Sequence, residues 1–133
     1  MTYILEQKQI EEIEQVLSKS LIDLGVHSVI LIDMAGNIVV DQDSGNSDHD
    51  IYSLAALAAG NYGAMNAMAN IVGEDEFSLL FHKGETANIH FSKILSDYLL
   101  VSIFGKEISL GFLRLKVAEA VAKIEKLLPT QSA

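Results

Sequence analysis

SLAALAAGNYGAMNAMANIVGEDEF, the stretch from Ser53 to Phe77, decides the fold of this chain. No Asp, Glu, Lys or Arg occurs from Ile51 to Gly73, although the 133 residues carry a formal net charge of −9. Asp48 or Asp50 supplies a helix N-cap before this segment, and Gly73 supplies a stop after it. We therefore predict one long helix, helix two, whose surface lacks the charged residues that a solvent-exposed helix normally carries.

A helical wheel of helix two, drawn at about 100° per residue, separates large side chains from small ones. We expect the large apolar side to lie on a sheet; its residues are Leu54, Leu57, Met65, Met68 and Val72. The small, uncharged face should form a flat surface that another protein backbone can approach closely. It comprises Ala56, Ala59, Gly60, Gly63, Asn66, Ala67 and Asn70. The alternative, in which helix two is buried inside a monomer, stays open.

The remaining apolar patterns predict two further helices and five strands. Tyr98–Phe104 is apolar on both faces, as expected of a strand that is covered twice. The resulting order, αββαβββα, indicates the α+β class, with a five-stranded antiparallel sheet and helices on both faces, in a single domain of residues 1–133. The predicted elements are helix one at Tyr3–Leu24, strands at His27–Asp33 and Asn37–Gln42, helix two to about Val72, strands at Glu76–His82, Thr86–Lys93 and Tyr98–Phe104, and a last helix from Ser109 to Pro129.

Composition excludes several classes of function. The chain has nine basic residues and 18 acidic ones. This balance disfavours binding to nucleic acid or anionic membranes. The absence of cysteine excludes disulfides and thiolate chemistry. Asn61, Asn66 and Asn70 interrupt the uncharged segment, so we expect no membrane span. The N-terminus does not resemble a signal peptide, which favours a cytoplasmic protein.

Candidate chemical sites are weak. His82 and His90 are the only close pair of histidines, and His90 should lie opposite about Leu79, so a shared metal ion is not expected. Glu74-Asp75-Glu76 has the carboxylates of an acid–base pair, but its place after a helix favours a solvated turn. The GNYG sequence at Gly60 lacks the Lys-Ser/Thr of a phosphate-binding loop. We therefore predict no catalytic residue, cofactor or metal.

Two segments carry a family resemblance: Ser53–Gly84, with its LAAGN and GEDEF sequences, and SLGFLRLKV at Ser109–Val117. The chain resembles the Roadblock/dynein light chain family, and most closely its bacterial branch typified by MglB. The resemblance implies a roadblock-like homodimer in which the second helices pair antiparallel and the sheets join edge to edge. It also implies that the paired helices form part of a docking surface, which on this chain is Ala59, Gly63 and Ala67.

The resemblance further implies a regulator of a small Ras-like, MglA-type GTPase, acting as a GTPase-activating platform in cell polarity or motility. A scaffold that binds a GTPase or another partner through helix two, without changing its rate, stays open. A third possibility, a sensor that binds small ligands through the loop Asp41–Asp50, also stays open. The sequence does not identify the GTPase, the stoichiometry or the biological process. It ends five residues beyond Leu128, whereas family members that act in cell polarity can carry a longer C-terminal tail.

The single arginine of the chain, Arg114, bears on how hydrolysis could be stimulated. Arginine fingers stabilise charge on the transferring phosphoryl group. The predicted architecture places Arg114 on the last helix, on the opposite sheet face from helix two, and no lysine lies within Ile51–Gly73. We therefore expect that this protein supplies no catalytic arginine.

Overall fold

The structure, a computed structural model, describes residues 5–45, 49–78 and 80–128. Its helices and strands follow the predicted order. A short 3₁₀ helix at Ile22–Leu24 extends the first helix, and Gly25 ends it with φ of 110°. The elements are α1 (Gln7–Ser20), β1 (Ser28–Asp33), β2 (Ile38–Asp43), α2 (Ile51–Ile71), β3 (Leu80–Lys83), β4 (Asn88–Ile94), β5 (Tyr98–Phe104) and α3 (Leu110–Glu125).

The five strands form one antiparallel sheet in the order β2-β1-β5-β4-β3. Every residue of the central strand β5 is buried, as its doubly apolar pattern predicts. One core cluster joins α1 and α3 to the sheet, and a second cluster joins α2 to the opposite face. The predicted α+β architecture, with helices on both faces, is confirmed. Tyr3, Pro129 and residues 46–48 of the loop Asp41–Asp50 lie outside the described residues.

The orientation of α2 differs from the wheel prediction. The residues that α2 buries fully are Ala55, Ala58, Tyr62 and Ala69. Leu54 and Met65 are only half-buried, whereas Leu57, Met68 and Val72 are exposed. The large stripe therefore does not lie on the sheet as a unit.

The size of the sheet side chains explains this rotation. The sheet face beneath α2 already carries large buried residues, including Ile30, Phe91 and Leu99. The turn between β1 and β2 also approaches the helix so closely that a Cβ on Gly36 would lie 3.1 Å from the Cα of Ala56. Only small helix residues fit at that distance, because a protein interior is filled to crystal-like density.

The rotation predicts the effect of enlarging a buried alanine. Ala55→Leu is expected to lower the free energy of unfolding by about 1–3 kcal/mol, because added methylenes overpack a filled core. Ala118→Leu adds the same atoms at an exposed position of α3 and should stay within about 0.5 kcal/mol of the wild type. Urea unfolding of both variants at one protein concentration measures the difference; equal losses would contradict the observed rotation.

The edge strand β3 is shorter than predicted. It begins at Leu80, and Glu76, Phe77 and Ser78 are not in strand conformation; Leu79 lies outside the described residues. Phe77 packs with the cluster beneath α2, whereas Phe81 packs with the cluster beneath α3. The alternation of Phe77, Leu79 and Phe81 predicts that the two phenylalanines share one strand face. This prediction was wrong, because residues 76–78 are not in strand conformation.

The pairing of β3 with β4 also corrects the position of His90. His90 lies opposite Phe81 rather than Leu79, and His82 lies opposite Ile89. Side chains on neighbouring positions of a strand point to opposite faces. His82 therefore faces the α2 side and His90 the α3 side, so the two imidazoles cannot converge on one ion.

Candidate docking surface

The outward side of α2 is an uncharged surface that no described part of the chain covers. We define the α2 outer surface as the exposed residues of the helix and the residue that follows it. Its large members are unusually accessible: Tyr52 is 77% exposed, Leu57 72% and Ile71 83%. Contiguous exposed apolar side chains of this kind mark sites of interaction with other proteins. The members are Tyr52, Ser53, Ala56, Leu57, Gly60, Gly63, Ala64, Ala67, Met68, Asn70, Ile71 and Val72.

The α2 outer surface has a flat centre and a bulky flank. Around a helix with about 100° per residue, the small exposed residues lie opposite the buried alanines. Gly60 and Gly63 lie there, and a Cβ built on either would meet no atom within 4 Å. Leu57 and Met68 project beside this centre on one flank, and Ile71 lies in line with Gly60, three turns further along the helix. A partner backbone can therefore approach the centre closely while its apolar side chains contact the flank.

The predicted site residues divide into two groups. Ala56, Gly60, Gly63, Ala67 and Asn70 are exposed on the α2 outer surface. The other two, Ala59 and Asn66, are half-buried, and Ala59 packs against the cluster beneath the helix.

Sequence reasoning misses the large exposed residues of the α2 outer surface. The helical wheel gives no role to Tyr52 and Ile71, and it places Leu57 and Met68 on the sheet. One signal could have found them: a helix without charge on any face cannot have an ordinary solvent-facing side, so its exposed large residues are surface candidates as well.

Local interactions hold α2 in place at its first turn, its middle and its last turn. The carboxylate of Asp50 accepts hydrogen bonds from the backbone N–H and the hydroxyl of Ser53, at 3.1 and 2.7 Å. These bonds hold the pKa of Asp50 below its ordinary value. In the middle of the helix, the Asn61 amide lies 3.2 Å from Nε2 of His82 on β3. Gly73, with φ of 90°, lets the chain leave the helix. The outer surface is thus presented on a fixed element, which lowers the entropy cost of binding.

Arg114 lies on the other side of the molecule. It is an exposed residue of α3, which packs with α1 against the sheet face opposite α2. Burial lowers the pKa of the His90 imidazole, whose side chain faces α3, and the charge of the Arg114 guanidinium lowers it further. The predicted placement of Arg114 on the face opposite helix two is confirmed.

Residues 5–45, 49–78 and 80–128 contain neither a metal-binding cluster nor a helix that could span a membrane. Within these stretches no group of three or more His, Asp or Glu side chains is arranged to hold a metal ion. No described helix is both long enough and apolar enough to cross a membrane.

Comparisons with known proteins identify relatives of this fold. The family model described as the Roadblock/LC7 domain matches residues 12–104. A comparison with curated protein sequences finds no match.

Three solved structures are similar over nearly the whole chain. The gliding protein MglB of Thermus thermophilus is 26% identical, covers 96% of each chain and gives a TM-score of 0.86. MglB of Myxococcus xanthus is 32% identical, over 87% of this chain and 94% of that one, with a TM-score of 0.80. An MglB described in a tetrameric arrangement is 25% identical, covers 96% of this chain and 95% of its own, and gives a TM-score of 0.88.

Proposed function

Because this chain belongs to the Roadblock/LC7 domain family, we propose that it regulates a small Ras-like GTPase of the MglA type. One observation carries the proposal: the α2 outer surface is uncharged, largely apolar and open to solvent. The similarity to MglB proteins indicates which class of partner such a surface serves. The Thermus relative is a gliding protein, which supports a role in motility or polarity for this chain.

The proposed active form is a homodimer built on α2. A helix of 21 residues is about 31 Å long, so two copies lying antiparallel can bury a continuous strip. The exposed side chains of Leu57, Met68 and Ile71 provide the apolar contact that a stable dimer requires. The flat centre, with Gly63 and Ala67, then contributes to the surface on which the GTPase docks.

Stimulation of hydrolysis would follow from binding and not from an inserted catalytic group. Ile51–Ile71 contains no arginine or lysine, and Arg114 belongs to the opposite face of the sheet. We propose that the dimer binds one conformation of the GTPase more tightly, the one in which the GTPase's own residues meet the γ-phosphate. A partner shifts a conformational equilibrium only by its difference in affinity for the two states, and each tenfold shift requires about 1.4 kcal/mol.

A variant of Arg114 tests the absence of an arginine finger. Arg114→Ala should leave stimulated hydrolysis nearly unchanged in a single-turnover assay with saturating, folded dimer. Removal of a true arginine finger costs about 10³–10⁵ in rate. A loss of a hundredfold or more, after correction for any change in stability, would show that Arg114 is a finger and that the docking face is wrongly assigned.

A non-catalytic scaffold is the second candidate. The same uncharged surface could hold a GTPase or another partner without changing its rate, because nothing on α2 interacts with a phosphoryl group by charge. The two candidates share the binding surface and differ only in the hydrolysis rate of the bound GTPase.

A further inference from the structure

A cleft opens at the edge of the sheet beyond the start of β3, between α3 and the inner side of α2, where Tyr62 lines it. Among the described residues, β3 pairs with β4 from Leu80↔Phe91 to Lys83↔Asn88, whereas β4 continues alongside β5 to Ile94↔Tyr98. No described residue before Leu80 pairs with the last three residues of β4. The space between this end of β4, α3 and residues 76–78 has a volume of about 490 Å³. Small-molecule sites occupy about 300–1,000 Å³.

A buried histidine without a hydrogen-bond partner lines this cleft. His90 is only 6% exposed, and its Nδ1 bonds to no described residue. Burial, and secondarily the charge of Arg114, lower the pKa of His90 to about 4, so the imidazole is neutral near pH 7. A neutral imidazole has one N–H donor and one acceptor nitrogen. A buried polar atom that lacks a partner is unfavourable, and a polar group of a ligand would satisfy it.

An unpaired cation lines the cleft from α3. Arg114 forms no ion pair or hydrogen bond with any residue in the described part of the chain, whereas Lys93, on the opposite wall, donates to Glu76 at 2.7 Å. Glu125, the other acidic residue of the lining, lies three helical turns further along α3, about 16 Å away. The guanidinium therefore has free N–H groups in the planar arrangement that matches carboxylate and phosphate oxygens.

The rest of the lining is mostly apolar, with Ser78 and Ser92 as its small polar members. Val117 and Val121 line the α3 wall, and Phe77, Leu80 and Phe91 line the strand side. We propose that this cleft binds a small amphipathic anion, whose carboxylate or phosphate group contacts Arg114 and whose apolar body lies along Val117 and Val121. The site is separate from the α2 outer surface, but residues 76–78 of its wall adjoin the edge at which the sheets of the proposed homodimer join. It adds a ligand to the proposed GTPase regulator.

Hexanoate and n-hexyl phosphate are suitable probes, because they share one apolar body and differ in the anionic group. Each is titrated into the ¹⁵N-labelled full chain to about 20 mM, since ligands of so few atoms rarely bind tighter than millimolar. We expect saturable shifts of amides around His90, Ala118 and Ala122, and of the His90 ring. The probe with the lower Kd identifies the preferred anionic group. Hexan-1-ol should bind at least about tenfold more weakly, because it lacks the charge-assisted bond.

A pair of variants with matched charge completes the test. Arg114→Gln should weaken binding of the preferred anion about tenfold or more. Lys123→Gln removes one positive charge from an exposed position of the same helix outside the cleft and should leave Kd unchanged. His90→Phe keeps an aromatic ring but removes both ring nitrogens, and it should weaken binding less than Arg114→Gln.

Four results would overturn the proposal. They are the absence of saturable shifts with both anions, shifts confined to α2, equal binding of hexan-1-ol, and equal losses in the Arg114→Gln and Lys123→Gln variants. None of these depends on the GTPase, so the proposal can fail while the proposed function stands.

Discussion

Gly63→Arg is expected to lower the affinity for the cognate GTPase at least a hundredfold, about 2.7 kcal/mol, while the protein stays folded. Gly63 lies at the flat centre of the α2 outer surface, and a Cβ there meets no atom within 4 Å. The fold can therefore accept the side chain, and arginine favours the helix more than glycine does. A docked partner cannot accept it, because a long cation would separate the two backbones and lose its hydration. Ala67→Arg should act in the same way.

Gly111→Arg is the matched control for this prediction. Gly111 is also an exposed helical glycine with no atom near an added Cβ, but it lies on α3, on the opposite side of the sheet. Binding of the GTPase loaded with a GTP analogue is measured by isothermal titration, with circular dichroism to check folding. If both α2 variants are folded and bind normally, the docking surface lies elsewhere. If they are monomeric, the flat centre serves dimerisation first.

Leu57→Glu is expected to convert the dimer into a monomer at tens of micromolar protein. Leu57 is 72% exposed in the single chain, so a carboxylate there costs the isolated fold little. In a two-fold interface the substitution occurs twice. Each copy loses the burial of a leucine, about 1.5–3 kcal/mol, and must desolvate a charge.

Leu115→Glu provides the control, because Leu115 is 56% exposed on α3. Multi-angle light scattering should give a dimer for the wild type and Leu115→Glu, and a monomer for Leu57→Glu. A wild type that is monomeric at tens of micromolar, where an interface of ordinary size holds, would exclude the proposed assembly. In the dimer, hydrogen exchange should also slow across Glu76–His82, where the sheets are expected to join.

The sequence predicted those features of the fold that local patterns determine. Asp50, one of the two predicted caps, caps α2, and α3 begins after Ser109 as predicted, with Ser109 as its cap. Short polar side chains before an apolar helix satisfy its free N–H groups. β5 is buried on both faces because no polar residue except Ser102 interrupts it. These features depend on a few neighbouring residues, so the pattern alone is sufficient.

The rotation of α2 and the start of β3 depend on distant residues. Both sides of α2 are apolar, so its pattern does not indicate which side meets the sheet; the large residues on the sheet and the turn at Gly36 decide it. The alternation of Phe77, Leu79 and Phe81 predicts a strand, but Glu76 contacts Lys93 through its side chain, and no described residue before Leu80 pairs with β4. The cleft beside α3 follows from that late start and could not be predicted from the pattern.

Single-turnover hydrolysis by the cognate GTPase tests the central claim most directly. The GTPase, loaded with GTP, is mixed with a saturating amount of wild-type dimer, and release of phosphate is followed in the absence of nucleotide exchange. We expect the rate constant to rise at least tenfold, a gain that the Gly63→Arg variant loses and the Arg114→Ala variant keeps. Binding with an unchanged rate constant would contradict GTPase activation and favour the scaffold; the absence of binding to the GTP-loaded form would contradict both.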